Sequence, residues 1–287
     1  MTEAARAGGP GSVGVVGGGT MGVGIAYVFA VGGARTTVVE PDAARMAAVR
    51  REVADAAATG VRRGKLQPEV AAGLAERIGH VTGAEQLPEG LDLVVETVPE
   101  DLALKQRVLA ACESRRPAVL ASNTSALSID ALAAGLARPE AFLGLHFFNP
   151  VWSIPVVEVV RGAATSPQTL ETALAAVAAI GKESAVVADA PGFATSRLDV
   201  VAALEAIRTV EQGVGEPADI DRAVQLAYRH PVGPLRLTDI VGLDVRLHIA
   251  RNLETALGPQ FTPPQLLVDK VAAGELGVKT GRGFYVY

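Results

Sequence analysis

The sequence predicts an α/β protein: a doubly wound, Rossmann-type parallel sheet followed by a second, all-helical C-terminal domain. Three observations indicate this architecture. A glycine-rich turn follows the first apolar β-run, β-like and α-like segments alternate to about residue 190, and only helical periodicity remains beyond Pro191-Gly192. We therefore expect a flexible tail over residues 1–10, a sheet domain over 11–190 and a helical domain over 191–287.

The individual elements are predicted from apolar runs, periodicity and turn residues. Short apolar runs predict strands at residues 12–16, 36–39, 91–96, 119–122, 142–146, 156–160 and 183–187. Helical periodicity predicts helices at 20–30, 43–59, 68–77, 102–115, 129–136 and 167–180, and after the boundary at 194–212, 217–228, 243–257 and 264–273. Because ligands of open α/β sheets bind beyond the carboxyl ends of the strands, we expect the functional side chains there.

The turn after the first strand has the Gly-x-Gly-x-x-Gly spacing of a dinucleotide-binding motif. Its first glycine permits a tight turn, its second lets the backbone approach a pyrophosphate, and its third allows close helix–strand packing. Glu40 ends the second strand, 18 positions after Gly22, where a carboxylate would bind a ribose diol and repel a 2′-phosphate. NAD is therefore predicted in preference to NADP. The residues expected to contact it here are Gly17, Gly19, Thr20, Met21 and Gly22.

Composition and charge exclude several other classes of protein. The net charge of −5, with scattered Lys and Arg, provides no basic stripe for nucleic acid. Residues 13–34 carry no charge but contain eight glycines, so they do not predict a membrane span. The first ten residues have Arg6 as their only positive charge and do not read as a secretory signal. With Cys112 as the single cysteine and no metal site predicted, we expect a cytoplasmic protein.

Polar residues follow four of the predicted strands, and together they suggest alcohol oxidation. The first of these segments is Val-Val-Glu-Thr-Val-Pro-Glu at 94–100. In the other three, Ser125 lies in a Ser-Asn-Thr-Ser segment, His146 opens His-Phe-Phe-Asn-Pro, and Glu158 stands among valines. Histidine can accept the alcohol proton, a carboxylate can orient the ring, and a serine hydroxyl can hold the substrate oxygen. The nicotinamide would take the hydride. An acyl-transfer triad is the competing use of these residue types, but Ser125 lacks a Gly-x-Ser-x-Gly elbow.

The motifs also carry a resemblance that covers essentially the whole chain. The chain resembles the L-3-hydroxyacyl-CoA dehydrogenase family, including bacterial 3-hydroxybutyryl-CoA dehydrogenases. The matching motifs in the first domain are Gly-Gly-Gly-Thr-Met-Gly at 17–22, Ser-Asn-Thr-Ser at 122–125 and Gly-Leu-His-Phe-Phe-Asn-Pro at 144–150. Those further on are Pro-Gly-Phe at 191–193, His-Pro-Val-Gly-Pro-Leu at 230–235, Asp-Ile-Val-Gly-Leu-Asp at 239–244 and Lys-Thr-Gly-Arg-Gly-Phe-Tyr at 279–285.

The resemblance implies an NAD-dependent dehydrogenase that acts on a 3-hydroxyacyl thioester. His146 matches the family's base, Glu158 its orienting carboxylate and Ser125 the serine that contacts the 3-oxygen of the substrate. Further cofactor contacts fall at Glu100, Lys105, Asn123, Asn149 and Lys279. Arg62, Arg63 and Lys65 match basic residues near the CoA phosphates, although a solvated basic turn explains them equally well. The helical domain of such enzymes closes the cleft and forms most of a homodimer interface.

Two departures from the family pattern bear on the substrate. Ser196 replaces an asparagine that faces the substrate in the family, and its hydroxyl has one donor where the amide has two. Pro155 replaces a lysine that precedes the orienting glutamate, and the only tryptophan, Trp152, lies in the same segment. We expect the hydride chemistry to survive both changes, with Ser196 in the catalytic set, and the acyl pocket to differ.

Three alternatives therefore stay open beside a short-chain 3-hydroxyacyl-CoA substrate. The hydroxyacyl group could be attached to an acyl carrier protein, or the substrate could be a free hydroxy acid, as in the related gulonate and carnitine dehydrogenases. Pro155 favours the free acid, because those relatives also tend to lack the lysine. A non-catalytic NAD-binding protein is the third, and the intact Ser125, His146 and Glu158 argue against it.

Overall fold

The computed structural model describes residues 9–287, and the described chain forms two compact units. The first unit ends at Asp189 and the second spans Ala190–Tyr287. Residues 1–8 of the predicted tail lie outside the described residues. Each unit has its own apolar core.

The first unit is built on one eight-stranded sheet with the order β3-β2-β1-β4-β5-β6-β7-β8. The strands are β1 Ser12–Val16, β2 Arg35–Val39, β3 Ile78–Val81, β4 Leu93–Glu96, β5 Val119–Ser122, β6 Phe142–Phe147, β7 Val156–Arg161 and β8 Glu183–Ala188. The strand order reverses between β1 and β4, which is the switch point at which such sheets bind ligands. The predicted Rossmann-type fold is confirmed.

Helices of the first unit connect the strands. They are α1 Thr20–Gly32, α2 Ala43–Arg62, α3 Pro68–Ala72, α4 Leu74–Arg77, α5 Leu102–Glu113, α6 Ile129–Ala133 and α7 Pro167–Ala179. Four of them begin at side-chain caps, because Asp42, Asp101, Ser128 and Ser166 each accept a first-turn N–H group. Gly19 precedes α1 without a side-chain cap, so the first-turn N–H groups of that helix stay available for a ligand.

The first unit differs from the predicted elements in three places. The single helix predicted at 68–77 is two short helices that meet at Gly73. The edge strand β3 was not predicted, because its sequence Ile-Gly-His-Val is half-buried and has no apolar run. The sheet is also not wholly parallel: β7 runs antiparallel to β6, since the eight residues between them are too few for a parallel crossover.

The second unit is all-helical, with α8 Thr195–Glu211, α9 Pro217–Tyr228, α10 Pro234–Val241, α11 Leu243–Leu257 and α12 Gln265–Ala272. Its core contains Leu204, Ile207, Leu247 and Phe261. The short α10 was not predicted. No helix within residues 9–287 is long and apolar enough to cross a membrane.

Candidate active site

The glycine turn lies at the switch point of the sheet and forms a cradle for a phosphate. Gly17 has φ +109°, and a Cβ atom at Gly22 would lie 1.8 Å from the Gly17 carbonyl oxygen. Only glycine fits both positions. A Cβ atom at Gly19 would meet nothing within 4 Å, so space is open in front of the uncapped start of α1. These features fit the pyrophosphate of a dinucleotide. Thr20 and Met21 form the first helical turn beside that space.

Glu40 lies beside this turn, where β2 ends. One carboxylate oxygen of Glu40 accepts the Gly18 N–H at 3.0 Å and the other accepts the Asp42 N–H at 2.9 Å. Each oxygen can accept a second hydrogen bond, so capacity for a ribose diol remains. Arg45 Nε donates to the Gly18 carbonyl at 2.5 Å, while its terminal nitrogens bind Glu52 at 2.7 and 3.1 Å. The sequence analysis did not single out this arginine.

His146 and Glu158 form a buried pair across the antiparallel strands β6 and β7. The two residues are directly opposite in the register, and His146 Nδ1 lies 2.9 Å from Glu158 Oε2. Glu158 is fully buried and His146 is 7% exposed. Because an ionised carboxylate can only accept, Nδ1 carries the proton and Nε2 is the basic atom of the neutral ring. The Phe148 ring packs on the imidazole with centroids 4.4 Å apart.

The strand ends enclose a cavity of about 350 Å³ that includes seven of the predicted site residues. These are Met21, Glu100, Lys105, Asn123, Ser125, His146 and Asn149. Asn123 Oδ1 accepts the Phe147 N–H at 2.9 Å, which joins the end of β5 to the end of β6. Glu158 lies behind His146 rather than in the lining. The structure therefore brings the proposed base and serine together with the first helical turn of the glycine motif.

A network of buried charges lies behind this cavity. Lys105 is 1% exposed, and its ammonium group contacts Glu96 Oε1 at 2.8 Å, the Val98 carbonyl at 3.0 Å and Glu100 Oε2 at 3.3 Å. The other oxygen of Glu96 accepts the Ser122 hydroxyl at 2.6 Å. All three donors of Lys105 are thus engaged by the protein itself. Glu96 was not among the predicted site residues, although its position as the only acidic residue in an otherwise apolar strand is a signal in the sequence.

Glu100 connects that network to the serine loop. Glu100 Oε1 accepts the Thr124 hydroxyl at 2.5 Å and the backbone N–H groups of Ser125 and Ala126, each at 3.0 Å. Burial raises the pKa of Glu100, but these hydrogen bonds and the charge of Lys105 outweigh it, so the pKa lies below its ordinary value. The loop that carries Ser125 is therefore held by a carboxylate that stays ionised at neutral pH.

The basic residues predicted near the substrate lie away from this cavity. Lys65 and Arg63 line a second, larger cavity of about 640 Å³ between α1 and α2, together with Trp152. Arg62 donates to the Thr59 hydroxyl at 2.7 Å and lies outside that lining. Cys112 is buried, and burial raises the pKa of its thiol to about 12, so it is not a nucleophile at neutral pH.

Two predicted site residues belong to the second unit. Ser196 lies in the first turn of α8. Lys279 lies near the C-terminus, where its ammonium group contacts both carboxylate oxygens of Asp244, at 2.5 and 2.7 Å. Their roles toward substrate and cofactor stay predictions.

The fold and the glycine cradle define an NAD-dependent oxidoreductase, and comparison with known proteins identifies its family. The family model of the 3-hydroxyacyl-CoA dehydrogenase NAD binding domain matches residues 12–190, and that of the C-terminal domain matches residues 192–287. The chain therefore belongs to the 3-hydroxyacyl-CoA dehydrogenase family, which confirms the resemblance, and its cofactor is NAD.

Individual relatives match over nearly their whole length. The chain is 41% identical to 3-hydroxybutyryl-CoA dehydrogenase of Mycobacterium tuberculosis, over 96% of this chain and 98% of the relative. The crystal structure of M. tuberculosis FadB2 superposes with a TM-score of 0.92 at 39% identity, covering 97% of this chain and 99% of that one. (S)-3-hydroxybutyryl-CoA dehydrogenase PaaH1 from Ralstonia eutropha gives the same TM-score and coverage at 36% identity.

Proposed function

We propose that this enzyme oxidises a short-chain 3-hydroxyacyl-CoA to the 3-oxoacyl-CoA, and that it also catalyses the reverse reduction. The observation that carries the proposal is the buried His146–Glu158 pair, whose imidazole opens on the same cavity as Ser125 and Met21. The names of the M. tuberculosis and R. eutropha relatives support a hydroxybutyryl thioester as substrate.

His146 is the proposed general base. Its Nε2 accepts the proton of the 3-hydroxyl group while Nδ1 donates to Glu158, which stabilises the imidazolium that forms. The glycine turn and Glu40 would hold NAD, which would supply the hydride acceptor for C3 and, as NADH, the hydride donor for the reverse reaction. Glu158 is fully buried, so water does not screen its charge from the ring.

Ser125 is proposed to hold the oxygen at C3. Its hydroxyl can donate to that oxygen as the carbonyl forms, and its backbone is fixed by the hydrogen bond to Glu100. Asn149 lines the same cavity, on the segment that follows the His146 strand. Glu40 and the glycine turn are proposed to hold the adenosine half of the cofactor.

The CoA part of the substrate is assigned to the larger cavity. CoA carries an anionic 3′-phosphate, and the lining of that cavity has three cations, Arg63, Lys65 and Lys182, against two carboxylates, Glu52 and Asp55. Arg62, the last residue of α2, precedes Arg63 and extends the positive charge beyond the lining. A homodimer is also proposed, which sedimentation velocity would test.

The test follows NADH absorbance with acetoacetyl-CoA for the wild type and His146→Gln. We expect rapid consumption by the wild type and a loss of about 10²–10⁴-fold in kcat for the variant, the usual worth of general acid–base catalysis. NADH binding, measured by fluorescence titration, should be equal in the two proteins. Normal turnover by His146→Gln would remove this residue from the mechanism.

Carrier-bound and free hydroxy acids are the second candidate substrates, because Ser196 and Pro155 depart from the family pattern. Comparing acetoacetyl-CoA, the same acyl group on a carrier protein and free acetoacetate separates the three. Lys65→Met should raise KM for the CoA thioester and leave KM for the free acid unchanged. A higher kcat/KM for either competitor would replace CoA in the proposal.

A further inference from the structure

Lys182 directly precedes β8, and its side chain hydrogen-bonds to the segment that follows β6, the strand of His146. Its ammonium group donates to the Val151 carbonyl at 2.6 Å and to the Ile154 carbonyl at 2.5 Å. Within residues 9–287 no carboxylate forms an ion pair with it. Burial lowers the pKa of Lys182. The partly buried ammonium group therefore donates to two backbone carbonyls and forms no ion pair with a carboxylate of the described residues.

The tied segment, residues 148–155, is the connection between β6 and β7. It contains a tight turn in which the N–H groups of Ser153 and Ile154 both donate to the Pro150 carbonyl. The Glu183 N–H donates to the Pro155 carbonyl at 2.8 Å and fixes the far end of the segment. Lys182 therefore holds residues 151–154, which the sheet hydrogen bonds do not reach.

This segment contacts the active site at its first end and α1 further along. Phe148 packs on the His146 ring, and Asn149 lines the cavity. Val151 is 1% exposed and packs so closely on α1 that a Cβ atom at Gly24 would lie 2.6 Å from its side chain. A shift of the turn would therefore move Phe148 and Asn149 against the base and also move α1, which carries the glycine motif.

We propose that Lys182 is a positioning residue for hydride transfer, which acts by holding the 148–155 segment against His146 and α1. The role rests on the proposed function, since it acts through the proposed base. Methionine at position 182 has no N–H donor and cannot replace the two hydrogen bonds, whereas the guanidinium group of arginine has enough donors for both carbonyls.

The single tryptophan reports on this segment directly. Trp152 lies inside the tied turn, is 49% exposed and makes an edge-to-face contact with Tyr27 at 6.1 Å. Its fluorescence reads the conformation of the segment without any substrate. Because the chain has one tryptophan, excitation at a wavelength that its four tyrosines do not absorb gives a signal from Trp152 alone.

The experiment compares Lys182→Met, Lys182→Arg and the control Arg77→Met, which removes a cation-to-carbonyl hydrogen bond elsewhere in the first unit, from Arg77 to Ala30. For Lys182→Met we expect a red-shifted Trp152 emission, increased acrylamide quenching and a loss of about 10- to 100-fold in kcat, the usual cost of misplacing a site by about 1 Å. Lys182→Arg should restore the emission and most of the kcat, and Arg77→Met should change neither.

Wild-type emission and kcat in a folded Lys182→Met, checked by circular dichroism, would overturn the proposal. If Lys182→Met does not fold, an unchanged emission and a kcat loss in folded Lys182→Arg would overturn it equally. The emission measurement needs no substrate, so its outcome stands even if the wild type does not reduce acetoacetyl-CoA. Failure of the wild type to reduce acetoacetyl-CoA would refute only the proposed function.

Discussion

Replacing Glu158 by Gln tests the charge behind the proposed base with little change of shape. Glu158 is fully buried and its Oε2 lies 2.9 Å from His146 Nδ1. The amide keeps the volume of the carboxylate and can still hydrogen-bond to the ring. It removes the negative charge, and its N–H group can favour the tautomer in which Nε2 carries the proton.

The magnitude follows from the distance and the burial. At 2.9 Å, with an effective dielectric constant of about 20, the attraction between carboxylate and imidazolium is about 6 kcal/mol. Desolvation offsets part of this, and breaking a buried pair costs about 3–5 kcal/mol in practice. That range corresponds to a loss of about 10²–10⁴-fold in kcat, since each 1.36 kcal/mol is about tenfold.

The assay is steady-state NADH oxidation with a saturating 3-oxoacyl substrate, together with NADH affinity by fluorescence. We expect kcat to fall by that factor while NADH affinity stays within about twofold, because cofactor contacts lie at the other strand ends. Glu183→Gln is the matched control, since Glu183 lies on the neighbouring strand and is exposed. A Glu158→Gln enzyme with kcat within tenfold of the wild type would refute the reasoning.

Two further predictions concern the cofactor site and the buried charges. Glu40→Ala should weaken NAD binding about 10- to 100-fold, the cost of lost hydrogen bonds to a charged group. It should also narrow the preference for NAD over NADP, because it removes the carboxylate that would repel a 2′-phosphate. Fluorescence titrations with NADH and NADPH measure both constants, and unchanged affinities would contradict the role of Glu40. Lys105→Met should lower the free energy of unfolding by about 3–5 kcal/mol, because it leaves Glu96 buried without its cation. Urea denaturation measures this, and a loss below about 1 kcal/mol would show that the network contributes little.

The fold was predictable because buried parallel strands leave a strong signal in the sequence. β4 and β5 are apolar apart from their last positions and β1 apart from its first, so their runs stand out from the helical periodicity around them. β3 lies at the edge of the sheet and is half-buried, so its sequence need not be apolar. The direction of β7 was not predictable from its own sequence, since valine runs suit parallel and antiparallel pairing alike.

The candidate site was predictable in its residue types and less so in its contacts. His146 and Glu158 stand out as polar residues in apolar strands, but their pairing depends on the antiparallel register of β6 and β7. Arg45 and Lys182 do not stand out in the sequence, because charged residues at helix and strand ends are common. Their partners, Gly18, Val151 and Ile154, are backbone carbonyls that become neighbours only in the folded sheet.

That difference has a physical cause, which bears on where further functional residues lie. A side chain that touches substrate must have a particular chemistry, so its type shows in the sequence. A side chain that hydrogen-bonds to buried backbone groups or pairs with a buried charge needs only sufficient length and enough N–H donors. Lys105 and Lys182 are examples. Both lysines place a cation behind a loop that carries site residues, Ser125 in one case and Asn149 in the other. The precision of the site therefore depends also on charged groups outside the lining of the 350 Å³ cavity, and mutagenesis confined to that lining would miss Lys182.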